Sequence, residues 1–194
     1  PAQGSAEFDG SSDYIQLDTP FSYTNHTIAA WVYAEENASF KAIFCANDSS
    51  SDGIRWSITG DEEPYYRLNA TALYYTTPIP KNQWVHTAVN YDGSTMRLYL
   101  DGSLVSTQAA SVTIDNATNA VIGARADNKG DKMLGNLANV AIWNRALSSD
   151  EINAVMWKGY QSLTDNEKSG LQAWYSLDDV ASPAASLATM EALA

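Results

Sequence analysis

Apolar and polar positions alternate along most of this chain in short runs, and the spacing that marks an amphipathic helix is missing until late. Between residues 13 and 145, segments rich in Val, Ile, Tyr, Trp and Thr are separated by Gly, Pro, Asn, Asp and Ser, the pattern of an all-β sandwich. It predicts strands over 14–17, 27–34, 41–46, 54–59, 65–69, 73–76, 84–91, 96–101, 104–108, 120–124 and 137–143. The clearest alternation sets Met96, Leu98 and Leu100 against Arg97 and Tyr99. The turn residues Asp101-Gly102-Ser103 follow, so 96–108 reads as a hairpin.

Helix signals come after residue 147. Ser148 or Ser149 can cap, Asp150 and Glu151 suit a first turn, and Ile152, Val155 and Met156 form one apolar face ahead of Gly159. Thr164 and Glu167 have capping-box spacing and predict a second, one-turn helix. Residues 171–177 return to a strand pattern, and a strand so late must pair back into the sheet laid down earlier. The segment 181–194 is rich in Ala and Ser and has no aromatic residue. It reads as a surface appendage or linker, leaving one domain over 1–180.

Composition narrows the classes of partner. Of 194 residues, 45% are hydrophobic and 18% charged, with six Trp, eleven Tyr and four Phe, enough apolar area for a core. A net charge of −12 repels phosphate backbones and anionic headgroups alike, which argues against nucleic acid and membrane surfaces. No apolar run reaches the ~20 residues of a membrane helix. Cys45 is the sole cysteine, so neither an internal disulfide nor a cysteine-based zinc site is available. Glycosylation sequons begin at Asn25, Asn37, Asn47, Asn69 and Asn116.

Three segments in order carry a family resemblance. They are Phe8-Asp9-Gly10 with Asp13-Tyr14-Ile15 and Thr27-Ile28-Ala29-Ala30-Trp31-Val32; Trp84-Val85-His86 through Asp92-Gly93 into Met96-Arg97-Leu98-Tyr99-Leu100-Asp101-Gly102; and Gly135-Asn136-Leu137 through Ala141-Ile142-Trp143-Asn144-Arg145-Ala146-Leu147-Ser148. Over residues 6–158 the chain resembles the laminin-G-like and pentraxin group of concanavalin A-type jelly rolls. The resemblance implies a two-sheet antiparallel jelly-roll sandwich with one or two short C-terminal helices. This architecture hosts lectins, glycosidases, adhesion modules and virion proteins, so function has to be argued from a site.

Catalytic signals are weak. Glycoside hydrolysis needs two carboxyl groups flanking the scissile bond, and the Glu-x-Asp-x-x-Glu strand of the family's retaining glucanases has no counterpart. Asp61-Glu62-Glu63, beside Pro64, reads as a solvated loop, and Glu35-Glu36 as a strand-end turn. His26 and His86 lie in no nucleophile or zinc motif. The resemblance implies a packed, hydrogen-bonded His86, and Cys45 reads as a buried small hydrophobe.

Binding signals are stronger. The family likeness to pentraxins implies calcium between the 47–53 and 124–131 loops, with Asp127, Asn128, Asp48 and Asp52 as ligands. Arg125, at an expected acidic position, opposes a cation there, and Ala138-Asn139 stands where many laminin-G-like relatives have an acidic pair. Tyr65-Tyr66 and Tyr74-Tyr75 are adjacent pairs, so one member of each faces away from the core. With Arg67 and Asn69 they form a candidate platform for a glycan or protein surface. Trp31, Trp84, Trp143 and Trp174 are expected in the core or at its margin. The reading is a non-catalytic recognition and adhesion module, extracellular or on a virion surface, with capsid or fibre subunits as further partners. The alternatives are a purely structural virion or assembly protein and, below it, a divergent glycoside hydrolase.

Overall fold

A computed structural model describes residues 4–18, 20–36, 39–47, 53–114 and 117–178. Thirteen strands among them form two antiparallel sheets, as the alternation predicts. The elements are β1 Ala6–Asp9, β2 Ile15–Leu17, β3 His26–Ala34, β4 Lys41–Ala46, β5 Ile54–Ile58, β6 Pro64–Leu68, β7 Thr71–Tyr74, β8 Trp84–Tyr91, β9 Thr95–Leu100, β10 Ser103–Ala109, β11 Ala120–Ile122 and β12 Leu134–Trp143. Helices α1 Ser149–Val155 and α2 Asp165–Lys168 and strand β13 Leu171–Tyr175 follow. The strand order is β1-β12-β3-β8-β9-β10 in one sheet, with β13 also on β12, and β2-β11-β4-β5-β6-β7 in the other. None of the described helices is long and apolar enough to cross a membrane.

The core lies between the sheets. Ile28, Ala30, Val32, Val89, Leu98, Leu137 and Val140 from one meet Phe44, Ile54, Trp56, Ile58, Tyr66 and Leu68 from the other. The β9–β10 hairpin closes through Asp101 and Gly102, both at positive φ (45° and 76°), the backbone of a type I′ turn. Gly135, at φ 119°, is required for another reason, because a Cβ there would sit 2.0 Å from the Tyr33 carbonyl oxygen.

Strand β1 was absent from the alternation reading, being only four residues long, yet its Ala6 and Phe8 are fully buried. Its four residues pair with one half of β12, and β13 pairs with the other half. The expected return of the late strand into the domain is thus met, with the two end segments lying along the same strand. The 181–194 tail lies outside the described residues.

Both helix starts are as read from the sequence. Ser148 and Thr164 are N-caps, each in a complete capping box with Glu151 and Glu167. Helix α1 buries Ile152 and Val155 on the outer face of the seven-stranded sheet, against Ala29, Ala88, Tyr99, Ala141 and Trp143. Met156 is not part of that buried face; it is the C-cap, and its carbonyl accepts the Trp31 indole N–H at 2.7 Å.

One acidic segment is corrected. Glu62 is not solvated but buried, and its carboxylate meets the fully buried Lys41 ammonium at 3.0 Å. A left-handed backbone at Glu62 (φ 63°) turns the side chain inward. The low-dielectric setting makes this pair costly to break from one side only.

Candidate recognition surface

Core residues of β5, β6 and β7 alternate with residues on the outer face of the six-stranded sheet. Trp56 pairs with Tyr66 and Tyr66 with Leu73 on the core side. On the outer side Arg55 pairs with Arg67 and Arg67 with Ala72, while Ser57 pairs with Tyr65 and Tyr65 with Tyr74. Tyr74 is 49% exposed. Its ring lies 4.9 Å from that of Tyr65, which meets Phe40 edge-on at 5.7 Å. The Arg55 guanidinium sits 4.8 Å from the Phe40 ring centre and 5.7 Å from that of Tyr65. The Ser106 hydroxyl donates to the Tyr74 carbonyl at 2.9 Å, tying this edge to β10. Tyr74 is therefore an exposed ring on a fixed aromatic and cationic support.

The other candidate residues divide between surface and core. Arg67 is half-buried beside Arg55 on the outer face. Tyr65, read as a platform residue, is 7% exposed because Phe40, Arg55 and Tyr74 cover it. Tyr66 is not a surface residue. It is fully buried, and its hydroxyl lies 2.6 Å from His26 Nε2. His26 Nδ1 faces the carbonyls of Thr24 (3.0 Å) and Tyr23 (3.2 Å), so Nδ1 carries the proton and Nε2 accepts from Tyr66. Burial holds His26 down at about 4 and raises Tyr66 well above its ordinary value. Tyr75 packs half-buried against the core. Asn69 is a turn residue at φ 49°; its Oδ1 accepts from Gly53 N, and its Nδ2 donates to the Thr113 carbonyl. Sequence reasoning missed Arg55 and Phe40. The alternation marks Arg55 as outward, but nothing local to Phe40 signals its place under Tyr65.

The loop 123–132 lies over the same face, where Ala124 and Ala126 cover Cys45, Ala42 and Val121. Asn119 joins it to Asn47, donating its backbone N–H to Asn47 Oδ1 and its Nδ2 to the Ala126 carbonyl. Of the residues implied for calcium, Asp127 and Asn128 are described, and both are engaged by donors of the protein itself. Both Asp127 oxygens accept from Arg125, at 3.0 Å from Nε and 2.6 Å from Nη2. Asn128 Oδ1 accepts from Gly130 N. The next carboxylate, Asp131, is ion-paired with Arg55 and lies 3.9 Å from Arg125. Asp48 and Asp52 lie outside the described residues, and among the described residues no three acidic, His or Cys side chains group as metal ligands. His86 is packed as expected, edge-on to Trp31 at 5.4 Å, but its Nδ1 has no hydrogen-bond partner.

The fold is that of a two-sheet jelly roll, and the family model of the concanavalin A-like lectin/glucanases superfamily (laminin-G type) matches residues 9–153. The chain belongs to that superfamily. It is similar in structure to a SAP-like pentraxin from Limulus polyphemus, with a TM-score of 0.63 at 17% identity, over 78% of this chain and 79% of the pentraxin. The CBM40 of Ruminococcus gnavus IT-sialidase, solved with α2,3-sialyllactose, aligns with a TM-score of 0.62 at 15% identity over 80% of this chain and 99% of that domain. The LG4-5 domains of the mouse laminin α1 chain align with a TM-score of 0.59 at 15% identity, over 73% of this chain and 41% of that one. No curated protein sequence matches significantly.

Proposed function

We propose that this domain is a non-catalytic recognition and adhesion module, displayed outside a cell or on a virion, that binds a glycan or protein surface through the outer face of its six-stranded sheet. The observation that carries the reading is the exposed Tyr74 ring, propped by Tyr65, whose own ring is backed by Arg55. A preorganised aromatic ring offers contact area with little ordering cost. The sialyllactose of the Ruminococcus relative supports a glycan as occupant. The net charge of −12 favours contacts made by apolar and hydrogen-bonding area over ion pairs to an acidic partner.

Several of the described carboxylates serve the fold, which supports a non-catalytic role. Glu62 faces Lys41, Asp127 faces Arg125, and Glu151 and Glu167 complete capping boxes. The test is Tyr74→Ala, assayed by glycan array and by association with particles or cell surfaces. Binding is expected to weaken by ~1–2 kcal/mol or more at unchanged melting temperature. Loss of particle association alone would favour the structural assembly reading. Wild-type binding in both assays would move the contact surface elsewhere.

A further inference from the structure

Helix α1 covers only part of the outer face of the seven-stranded sheet, and aromatic rings occupy the next part. On β3 the outward positions after Ala29 are Trp31 and Tyr33; directly across on β8 stand His86 and Trp84. Trp31 is pinned by its N–H bond to Met156, and Trp157, the next residue, lays its ring 4.8 Å from that of Trp31. The Tyr33 and Trp84 rings are 5.7 Å apart. Trp157 is 64% exposed, whereas Trp31 beneath it is 5% exposed. The half-buried Tyr33 and Trp84 continue the row, and successive outward positions on a strand lie about 7 Å apart. On β12, Asn136 stands opposite Tyr33, and Glu7 of β1 stands opposite Asn136.

From this geometry we infer a second binding face, built on Trp157, Tyr33 and Trp84, that takes a neutral oligosaccharide chain. Width argues for a sugar over a protein. The large exposed hydrophobic side chains of the described residues are Tyr74 on the other sheet, Leu104 on β10, and Trp157, so no broad apolar patch of the size a stable protein interface needs surrounds this row. A narrow line of rings flanked by an amide and a carboxylate fits pyranose rings, whose C–H faces stack while their hydroxyls turn to polar groups. Charge argues for a neutral one, since a chain of net charge −12 repels acidic sugars. The surface lies on the opposite sheet from Tyr74 and does not depend on it.

The experiment is affinity electrophoresis of the full chain through gels containing soluble neutral polysaccharides: a mixed-linkage β-glucan, a galactomannan and a dextran. Trp157→Ala is run beside the wild type, with melting temperatures and sedimentation velocity. At least one polysaccharide should retard the wild type, and Trp157→Ala should weaken that retardation at least tenfold with its melting temperature unchanged. Equal retardation of Trp157→Ala and wild type would overturn the inference, as would the absence of retardation by all three polymers. It would equally be overturned by a concentration-dependent dimer that Trp157→Ala abolishes without any effect of sugar, because the occupant would then be a second copy.

Discussion

Arg125 and Asp127 show how one residue redirects a loop's chemistry. A guanidinium binds a carboxylate in a two-pronged fork, and both Asp127 oxygens accept from Arg125 in this way. Arg55 of β5 pairs with Asp131 through a single guanidinium nitrogen. Two internal cations thus stand where the family likeness implies a metal, and millimolar calcium is expected to leave the melting temperature unchanged. A ligand that prefers the native state must stabilise it, so a calcium-dependent rise, reversed by chelation, would refute this account. Arg125 was legible as an obstacle because its charge is fixed in any fold. Glu62 was not legible, because its partner Lys41 is 21 residues away and only the sheet brings them together. The same holds for Tyr65 and Tyr66: alternation says that adjacent tyrosines point to opposite faces, but not which face a loop or a neighbouring ring then covers.

Elements with local rules were read most accurately. The two capping boxes and the Asp101-Gly102 turn are written in residues within four positions of one another, so no tertiary context is needed to see them. Strand ends moved by one to three residues, and β1 escaped notice, because pairing on β12 rather than local pattern sets these limits. What α1 packs against was likewise invisible, since Trp31, Ala88 and Ala141 come from three distant strands. Its docking has a direct test. Ile152 is fully buried against the sheet, so Ile152→Asp buries a charge with no partner and should cost ~3 kcal/mol or more, or about 10 °C in melting temperature. Ala154→Asp, on the exposed side of the same helix, should stay within about 0.5 kcal/mol. Equal melting temperatures for Ile152→Asp and wild type would show that α1 is not docked.

At the scale of the whole molecule, two buried histidines make folding sensitive to pH in a window of their own. Burial lowers His26 to about 4, against the opposing pull of the Thr24 and Tyr23 carbonyls on Nδ1, and lowers His86 to about 3. Both sit far below the ordinary 6.5 of the unfolded chain. Between these limits the unfolded state binds two protons that the folded state refuses, so acidification favours unfolding. Stability is full above pH 6.5 and falls as pH drops toward 4, by about 1.4 kcal/mol per pH unit for each histidine. Carboxylates add their own loss at lower pH. Asp9 is held down by the Ser11 and Ser12 donors; burial raises Asp92, but its bonds from Ser94 and Arg97 outweigh that and leave it low. Those groups must protonate only below about pH 4, while neutralisation of the −12 surface charge near the same pH works in the opposite direction by easing repulsion. The interval from pH 6.5 to 5 therefore isolates the histidines. Urea unfolding across it should show a slope of about two protons in the wild type, and His86→Gln should reduce that slope to about one while leaving the contribution of His26. A wild-type unfolding free energy that is flat from pH 6.5 to 5 would mean that neither imidazole is kept neutral by the fold, contrary to the Tyr66–His26 bond and the packing of His86 against Trp31.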